Sequence, residues 1–134
     1  MMKFSHIVIV FITFFASAGM AVSQTSSGTQ EYGDGGAYEG EFLNGLPHGN
    51  GTYELPNGYR YVGEWFEGEI NGQGEALFPN GSVYIGSFVK GKPEGSGKIT
   101  FTDGGTYEGE WANGSITGEG YAKYANGTTY PVSY

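Results

Sequence analysis

Along most of the chain apolar and polar positions alternate with a period of two, the spacing of a half-buried β-strand and not of a helix. In the stretch from Tyr61, the residues Tyr61, Gly63 and Trp65 fall on one face of an extended strand, and Val62 and Glu64 fall on the other. The following stretch keeps the alternation, with Gly72, Gly74, Ala76 and Phe78 on one side and Gln73, Glu75 and Leu77 on the other. Residues 66 to 71 are predicted to join the two strands in a turn around Gly68. Pro79-Asn80-Gly81 makes the next turn, because Pro presets one backbone angle and Asn-Gly accepts the left-handed one. The pattern predicts a β-hairpin whose rings and glycines share a face.

This hairpin is one of several. Tyr38, Tyr61, Tyr84, Tyr107 and Tyr130 stand 23 residues apart each time, and four complete units can be laid over one another without a gap. In each unit Tyr opens, Gly stands third, Phe or Trp fifth, Gly eighth, twelfth and fourteenth, and Asn or Asp followed by Gly at the twentieth and twenty-first places. Tyr32, Asp34 and Gly35 match the end of a preceding unit, and residues 130 to 134 match the start of a following one. A lone hairpin is barely stable in water, so the units are expected to stack edge to edge. The predicted fold is all-β, an open single-layer antiparallel meander of hairpins with half-repeat caps. Where a large ring lies against a neighbouring strand a Cβ would push it away, so Gly49, Gly51, Gly72, Gly74 and their equivalents are expected to make room for Tyr and Trp. Pro131, which cannot donate to a further strand, and Val132, where a glycine is expected, discourage extension of the sheet at that edge.

Composition follows from the repeat: 20 of the 26 glycines in the 134 residues occupy the five repeated places of the four units. Helices are disfavoured by so much glycine, at about 1 kcal/mol per interior residue relative to Ala. Disorder is disfavoured by an aromatic content of 16% at fixed intervals. The absence of Cys removes disulfides, thiolate metal ligands and thiol nucleophiles. The net charge of -8 makes nucleic acid and anionic membrane surfaces poor partners.

The first 23 residues read as a separate object. Lys3 precedes an apolar run from Ile7 to Ala16, and small residues follow at Ala18, Ala21 and Ser23. This is the pattern of a cleavable secretory signal over 1–23, cut after Ser23 or, as second choice, after Ala18. The run is short for a membrane span, which needs about 20 apolar residues. Residues 24–29 are expected to be a flexible leader and residues 30–134 the repeat domain. Secretion or a periplasmic location follows as the expectation.

The repeated residues strongly resemble the membrane occupation and recognition nexus (MORN) repeat, Y-x-G-x-W/F followed by spaced glycines, an aromatic and an N-G turn. The likeness covers nearly all of 38 to 134 in four copies in register. It implies a single-layered sheet with an aromatic groove, used mostly for binding or self-association. Carried over position by position, the binding residues it implies are Tyr38, Phe42, Tyr61, Trp65, Tyr84, Phe88, Tyr107 and Trp111. The phosphoinositide binding proposed for some members would need a basic patch that this acidic chain lacks, and none of the kinase or methyltransferase domains that accompany the repeat elsewhere is expected within these residues.

Candidate chemistry is sparse, and no catalytic, cofactor or metal residue is assigned. Beyond the signal His48 is the only histidine, and it is expected in a Pro47-His48-Gly49 turn as a solvated residue. Glu39 with Glu41, and Glu108 with Glu110, would lie on one strand face ~7 Å apart, a spacing that suits glycosidase carboxylates but equally an exposed charged face. Gly95-Ser96-Gly97-Lys98 lacks the first glycine of a phosphate loop. Asp103-Gly104-Gly105 reads as a turn before it reads as a calcium loop, and the Asn-Gly-Thr/Ser triplets at Asn50, Asn80, Asn113 and Asn126 match a glycosylation pattern that the turn ending each unit also explains at Asn80 and Asn126.

Two surface patterns remain. Glu67, Glu69 and Glu75 in the second unit are replaced by Lys90, Lys92 and Lys98 in the third, an opposition expected to fix repeat order. Leu43, Phe66, Val89 and Ala112, with Val62 and Ile85, place apolar residues on the face away from the rings, where a partner or a second copy could meet them. The expected function is an exported non-enzymatic scaffold that binds a protein or extended peptide through the aromatic groove. An envelope lipid- or glycan-binding module and a structural homodimer are the alternatives.

Overall fold

The structure, a computed structural model, describes residues 11–12 and 24–133. The described residues form one antiparallel sheet with strands in chain order: β1 (Phe11–Ile12), β2 (Thr25–Glu31), β3 (Ala37–Leu43), β4 (Leu46–Glu54), β5 (Arg60–Phe66), β6 (Glu69–Leu77), β7 (Val83–Val89), β8 (Lys92–Thr100), β9 (Thr106–Ala112), β10 (Ser115–Lys123) and β11 (Thr129–Ser133). The ten strands from β2 onward make the open meander that the period of two predicts, with no helix among the described residues. The expected signal segment lies outside the described residues except for Phe11 and Ile12, which pair with Ser27 and Ser26 on the outer edge of β2.

Glycine organises the register. Gly28, Gly40, Gly51, Gly63, Gly74, Gly86, Gly97, Gly109 and Gly120 are successive cross-strand partners from β2 to β10, so a row of nine glycines crosses the sheet, and Val132 takes the place in β11. Without side chains the paired backbones approach closely. A Cβ on Gly63 would stand 2.5 Å from the Gly74 Cα, and one on Gly86 2.5 Å from the Gly97 Cα.

Two expectations are corrected here. Residues 24–29 are not a free leader: residues 25 to 31 pair along the whole of β3, from Thr25 against Leu43 to Glu31 against Ala37. Gly28 supplies the physical reason, since it continues the glycine row and lets the chain approach an otherwise unpaired strand edge. The repeat sheet therefore takes in the chain from Thr25 and not from residue 30. The hairpin turn also differs. It is two residues long, Glu67-Gly68 in the second unit, and Glu69 to Asn71 already belong to β6.

Both turn residues are left-handed in every unit, as a tight hairpin of this twist requires. Asn44, Glu67, Lys90 and Asn113 have φ between 47° and 52°, and the glycines after them between 81° and 88°. Asn tolerates this conformation, whereas Glu and Lys are held in it at a cost of about 1 kcal/mol. Lys90→Asn is therefore expected to raise stability by about 0.5 to 1 kcal/mol, read as a higher urea midpoint with unchanged slope.

The wider turn between units uses side-chain capping. Asn80 Oδ1 accepts the Ser82 N–H at 2.8 Å, and Asn57, Asp103 and Asn126 accept the equivalent N–H groups. Asp103 is thus committed to a turn. Successive hairpins are also tied at their tips. The Gly68, Gly91 and Gly114 N–H groups donate to the carbonyls of Pro47, Ile70 and Pro93 in the preceding unit, at 2.8 to 2.9 Å. Proline is admissible at that place because its carbonyl makes the tie.

Candidate functional site

The sheet's interior is a single line of rings. Phe42, Tyr38, Trp65, Tyr61, Phe88, Tyr84, Trp111 and Tyr107 form an unbroken zigzag, each touching the next edge to face with centroids 4.9 to 5.7 Å apart. These are the eight residues expected to bind, and all eight come together on one face. They are also buried: Tyr61 and Tyr84 are 0% exposed, and Trp65 and Trp111 only 7% and 6%. Among the described residues no second layer covers the sheet, so these rings, with Ile70 and Ala76, are the core themselves.

Each first-place Tyr lies over the fourteenth-place glycine of its own hairpin. A Cβ on Gly51, Gly74 or Gly97 would overlap the ring of Tyr38, Tyr61 or Tyr84. The phenols then reach across to donate to the carbonyls of Glu41, Glu64, Ser87 and Glu110, at 2.6 to 3.2 Å. Gly49 and Gly72 do something else. A Cβ there would meet the carboxylates of Glu41 and Glu64, not a ring, because both strands bulge at this point. Glu41 accepts the Asn50 N–H at 2.7 Å, Glu64 the Gln73 N–H at 2.5 Å and Glu110 the Glu119 N–H at 3.2 Å. These fourth-place carboxylates hold bulged backbone that has left the ladder, which is where the paired glutamates Glu41 and Glu110 find their role.

Burial sets the phenol chemistry. It pushes the Tyr84 hydroxyl up to about 12, and it also raises Tyr38 and Tyr61, where the Glu41 and Glu64 carboxylates add to the effect. The unfolded phenols lose their protons near 10, before the folded ones. The stability carried by these tyrosines is therefore complete below about pH 10 and falls as the pH climbs toward 12. Urea midpoints measured from pH 8 to 11.5 should be flat with respect to this effect until about pH 10 and then drop.

Around the buried rings stand half-buried apolar side chains. Tyr32, Tyr53, Tyr59, Phe78, Ile99 and Ile116 pack against the core while keeping part of their surface open. Tyr32 and Tyr53 wall one depression on the ring face, and Phe78 and Ile99 wall another. One, of about 390 Å³, is lined by Tyr32, Asp34, Tyr53, Trp65, Gly68, Glu69, Ile70, Lys90 and Gly91. The other, of about 430 Å³, is lined by Phe78, Asn80, Ser82, Tyr84, Gly91, Lys92, Pro93, Ile99, Phe101, Trp111, Asn113 and Gly114. An alternation lies beneath them. The fifth-place ring runs Phe42, Trp65, Phe88, Trp111; its cross-strand partner runs Pro47, Ile70, Pro93, Ile116; and the sixteenth place runs Tyr53, Ala76, Ile99, Ala122. Only the Trp units reach back with a hydrogen bond, from Trp65 Nε1 to the Gly51 carbonyl at 3.2 Å and from Trp111 Nε1 to the Gly97 carbonyl at 3.1 Å.

Other sequence candidates are accounted for by structure. His48 lies in β4 and not in a turn, because the hairpin turn closes at Asn44-Gly45; its Nδ1 accepts the Glu67 N–H at 3.3 Å and its ring packs on Phe66, with centroids 5.3 Å apart, so it braces the neighbouring turn. Among the described residues no ion pair joins Lys90, Lys92 or Lys98 to Glu67, Glu69 or Glu75; Lys98 stands opposite Glu108, and the salt bridge present is Arg60 to Glu54 at 2.8 Å. On the opposite face Phe66, Ile85, Val89 and Val62 are exposed. Among the described residues no group of three His, Asp or Glu side chains is placed to hold a metal.

The MORN repeat family model matches residues 38–58, 61–83, 84–106 and 107–129. No curated protein sequence matches the chain. Among solved structures the chain is similar to the TCP domain of SAS-4 (dCPAP) of Drosophila melanogaster, determined in complex with a proline-rich motif of Ana2 (dSTIL). That likeness has 14% identity and a TM-score of 0.44, and covers 84% of this chain and 78% of the other.

Proposed function

The chain belongs to the MORN repeat family, and from that premise we propose that it is a non-enzymatic scaffold taking an extended segment of a partner protein along the ring face of its sheet. One observation carries the reading: among the described residues nothing covers the face that bears the core, and that face is indented where half-buried Tyr53, Phe78 and Ile99 leave apolar surface beside the two indoles. The indole faces themselves are closed off by edge-to-face neighbours, so a sugar ring finds no free aromatic plane to stack on. Acidic side chains outnumber basic ones 14 to 6, which works against lipid headgroups.

A photo-crosslinking residue at Phe101, on the ring face, tests this against one at Phe66, on the opposite face. A partner protein joined through position 101 and not through 66 supports the reading, and the reverse pattern contradicts it. The exposed Phe66, Ile85 and Val89 favour a second reading, a homodimer through that opposite face, which would show as chain-to-chain crosslinks at position 66. The apolar run ending in small residues at Ala21 and Ser23 supports export to the periplasm or beyond. A mass of the purified native protein that starts at Gln24 or Gly19 is the result expected for it.

A further inference from the structure

The two depressions are copies of one another. Tyr32, Asp34, Tyr53, Trp65 and Gly68 of the first stand 46 residues before Phe78, Asn80, Ile99, Trp111 and Gly114 of the second, which is two repeat units. The alternation of Phe with Trp, and of bulky with Ala at the sixteenth place, makes this longer period the functional repeat of the ring face. Both depressions include Gly91, so they adjoin as one groove that crosses the strands. Their indoles lie on β5 and β9, four strands apart, or about 19 Å at ~4.8 Å per strand. An extended or polyproline-like segment advances about 3.1 to 3.4 Å per residue and covers that distance in about six residues.

The charges of the two copies differ. The first is lined by Asp34 and Glu69 beside Lys90, whereas the second has Asn80 in place of Asp34 and carries Lys92 with no carboxylate in its lining. The same gradient runs through the chain: residues 24–83 hold nine acidic and one basic side chain, and residues 84–133 hold five and four.

Resting on the peptide-binding reading, we propose that the groove has two equivalent subsites and takes an extended partner segment with two apolar anchors about six residues apart, a basic residue beside the anchor at Trp65 and an acidic residue beside the anchor at Trp111. The ligand crosses the strands, so its backbone cannot join the ladder. Anchors and flanking charges carry the affinity.

A phage-displayed library of random 16-residue peptides, selected on the immobilised chain, tests this. Enriched peptides should share two apolar positions five to seven apart, with Lys or Arg near one and Asp or Glu near the other. Synthetic copies, followed by fluorescence polarisation, should lose about ten-fold in affinity with Tyr53→Ser and again with Ile99→Ser, one substitution per subsite. Asp34→Asn removes a charge while keeping an oxygen to accept the Gly36 N–H, as Asn80 does for Ser82, and Lys92→Glu alters an exposed side chain; both should weaken the same peptides, and a fresh selection on Lys92→Glu should exchange the acidic preference for a basic one. Peptides with one anchor, or with no preferred spacing, that respond to only one of the two serine variants would overturn the two-subsite proposal while leaving groove binding in place. Peptides indifferent to both serine variants, or no enrichment at all, would overturn the groove reading itself.

Discussion

Gly74→Ala is expected to destabilise the protein by about 3 kcal/mol, the upper end of what overpacking usually costs, although it adds a single methyl group to a strand. Gly74 has an ordinary extended backbone, so alanine brings no conformational penalty there. The cost is steric. The new Cβ would overlap the Tyr61 ring, and that ring has nowhere to go: its hydroxyl is tied to the Glu64 carbonyl at 2.7 Å, and Phe88 and Trp65 meet it at 5.0 and 5.7 Å. Gly33→Ala is the matched control. No atom lies within 4 Å of where its Cβ would be, and it should stay within about 0.5 kcal/mol of the parent. Urea unfolding of the three proteins reads both effects, and equal stabilities would show that the glycine row is not there to seat the rings.

Tyr61→Ala should cost about 4 kcal/mol, in the range for deleting a fully buried aromatic side chain. The residue is 0% exposed and sits midway along the ring line, so its loss opens a hole beside Trp65 and Phe88 that no second layer among the described residues can fill. Against a total stability of about 5 to 15 kcal/mol this is a large fraction. Tyr61→Phe separates the two contributions of the side chain. It keeps the ring and removes the hydroxyl, leaving the Glu64 carbonyl without that donor, and should cost about 1 to 2 kcal/mol. Tyr121→Ala, at a ring that is 63% exposed, should cost under about 1 kcal/mol. A Tyr121 effect as large as that of Tyr61 would contradict the placement of the core.

The period of 23 residues and the alternation within it were enough to find every strand from β3 to β11, though not the early starts of β4, β6, β8 and β10, because each repeated residue answers to one local constraint: Tyr to its facing glycine, Asn or Asp to its turn. What escaped depended on pairing across units. Thr25–Glu31 carries little apolar signal, and its assignment as a strand rests on Gly28 meeting Gly40, a partner twelve residues away. Gly49 and Gly72 look like their neighbours Gly51 and Gly74 in the repeat, yet they face carboxylates, because a bulge between Gly40 and Phe42, and between Gly63 and Trp65, changes what stands opposite. The ring residues were correctly grouped on one face, but alternation alone cannot say whether a ring on an open sheet is exposed; edge-to-face neighbours bury it, and the accessible apolar surface passes to Tyr53, Phe78 and Ile99. The longer period of two units was present in the letters all along, in Phe-Trp-Phe-Trp at the fifth place. It acquires meaning only when the tenth and sixteenth places are seen to pack against it.

A thin sheet that makes an interior out of one line of rings is tested most directly by its own two tryptophans, Trp65 and Trp111, the only two in the chain. Their emission in the native protein should lie to the blue of that in urea, and acrylamide should quench it several-fold less than in the unfolded chain, as expected for indoles only 7% and 6% exposed. Native emission and quenching indistinguishable from those of the unfolded protein would mean that the indoles stand in water, and the account of this fold would be wrong.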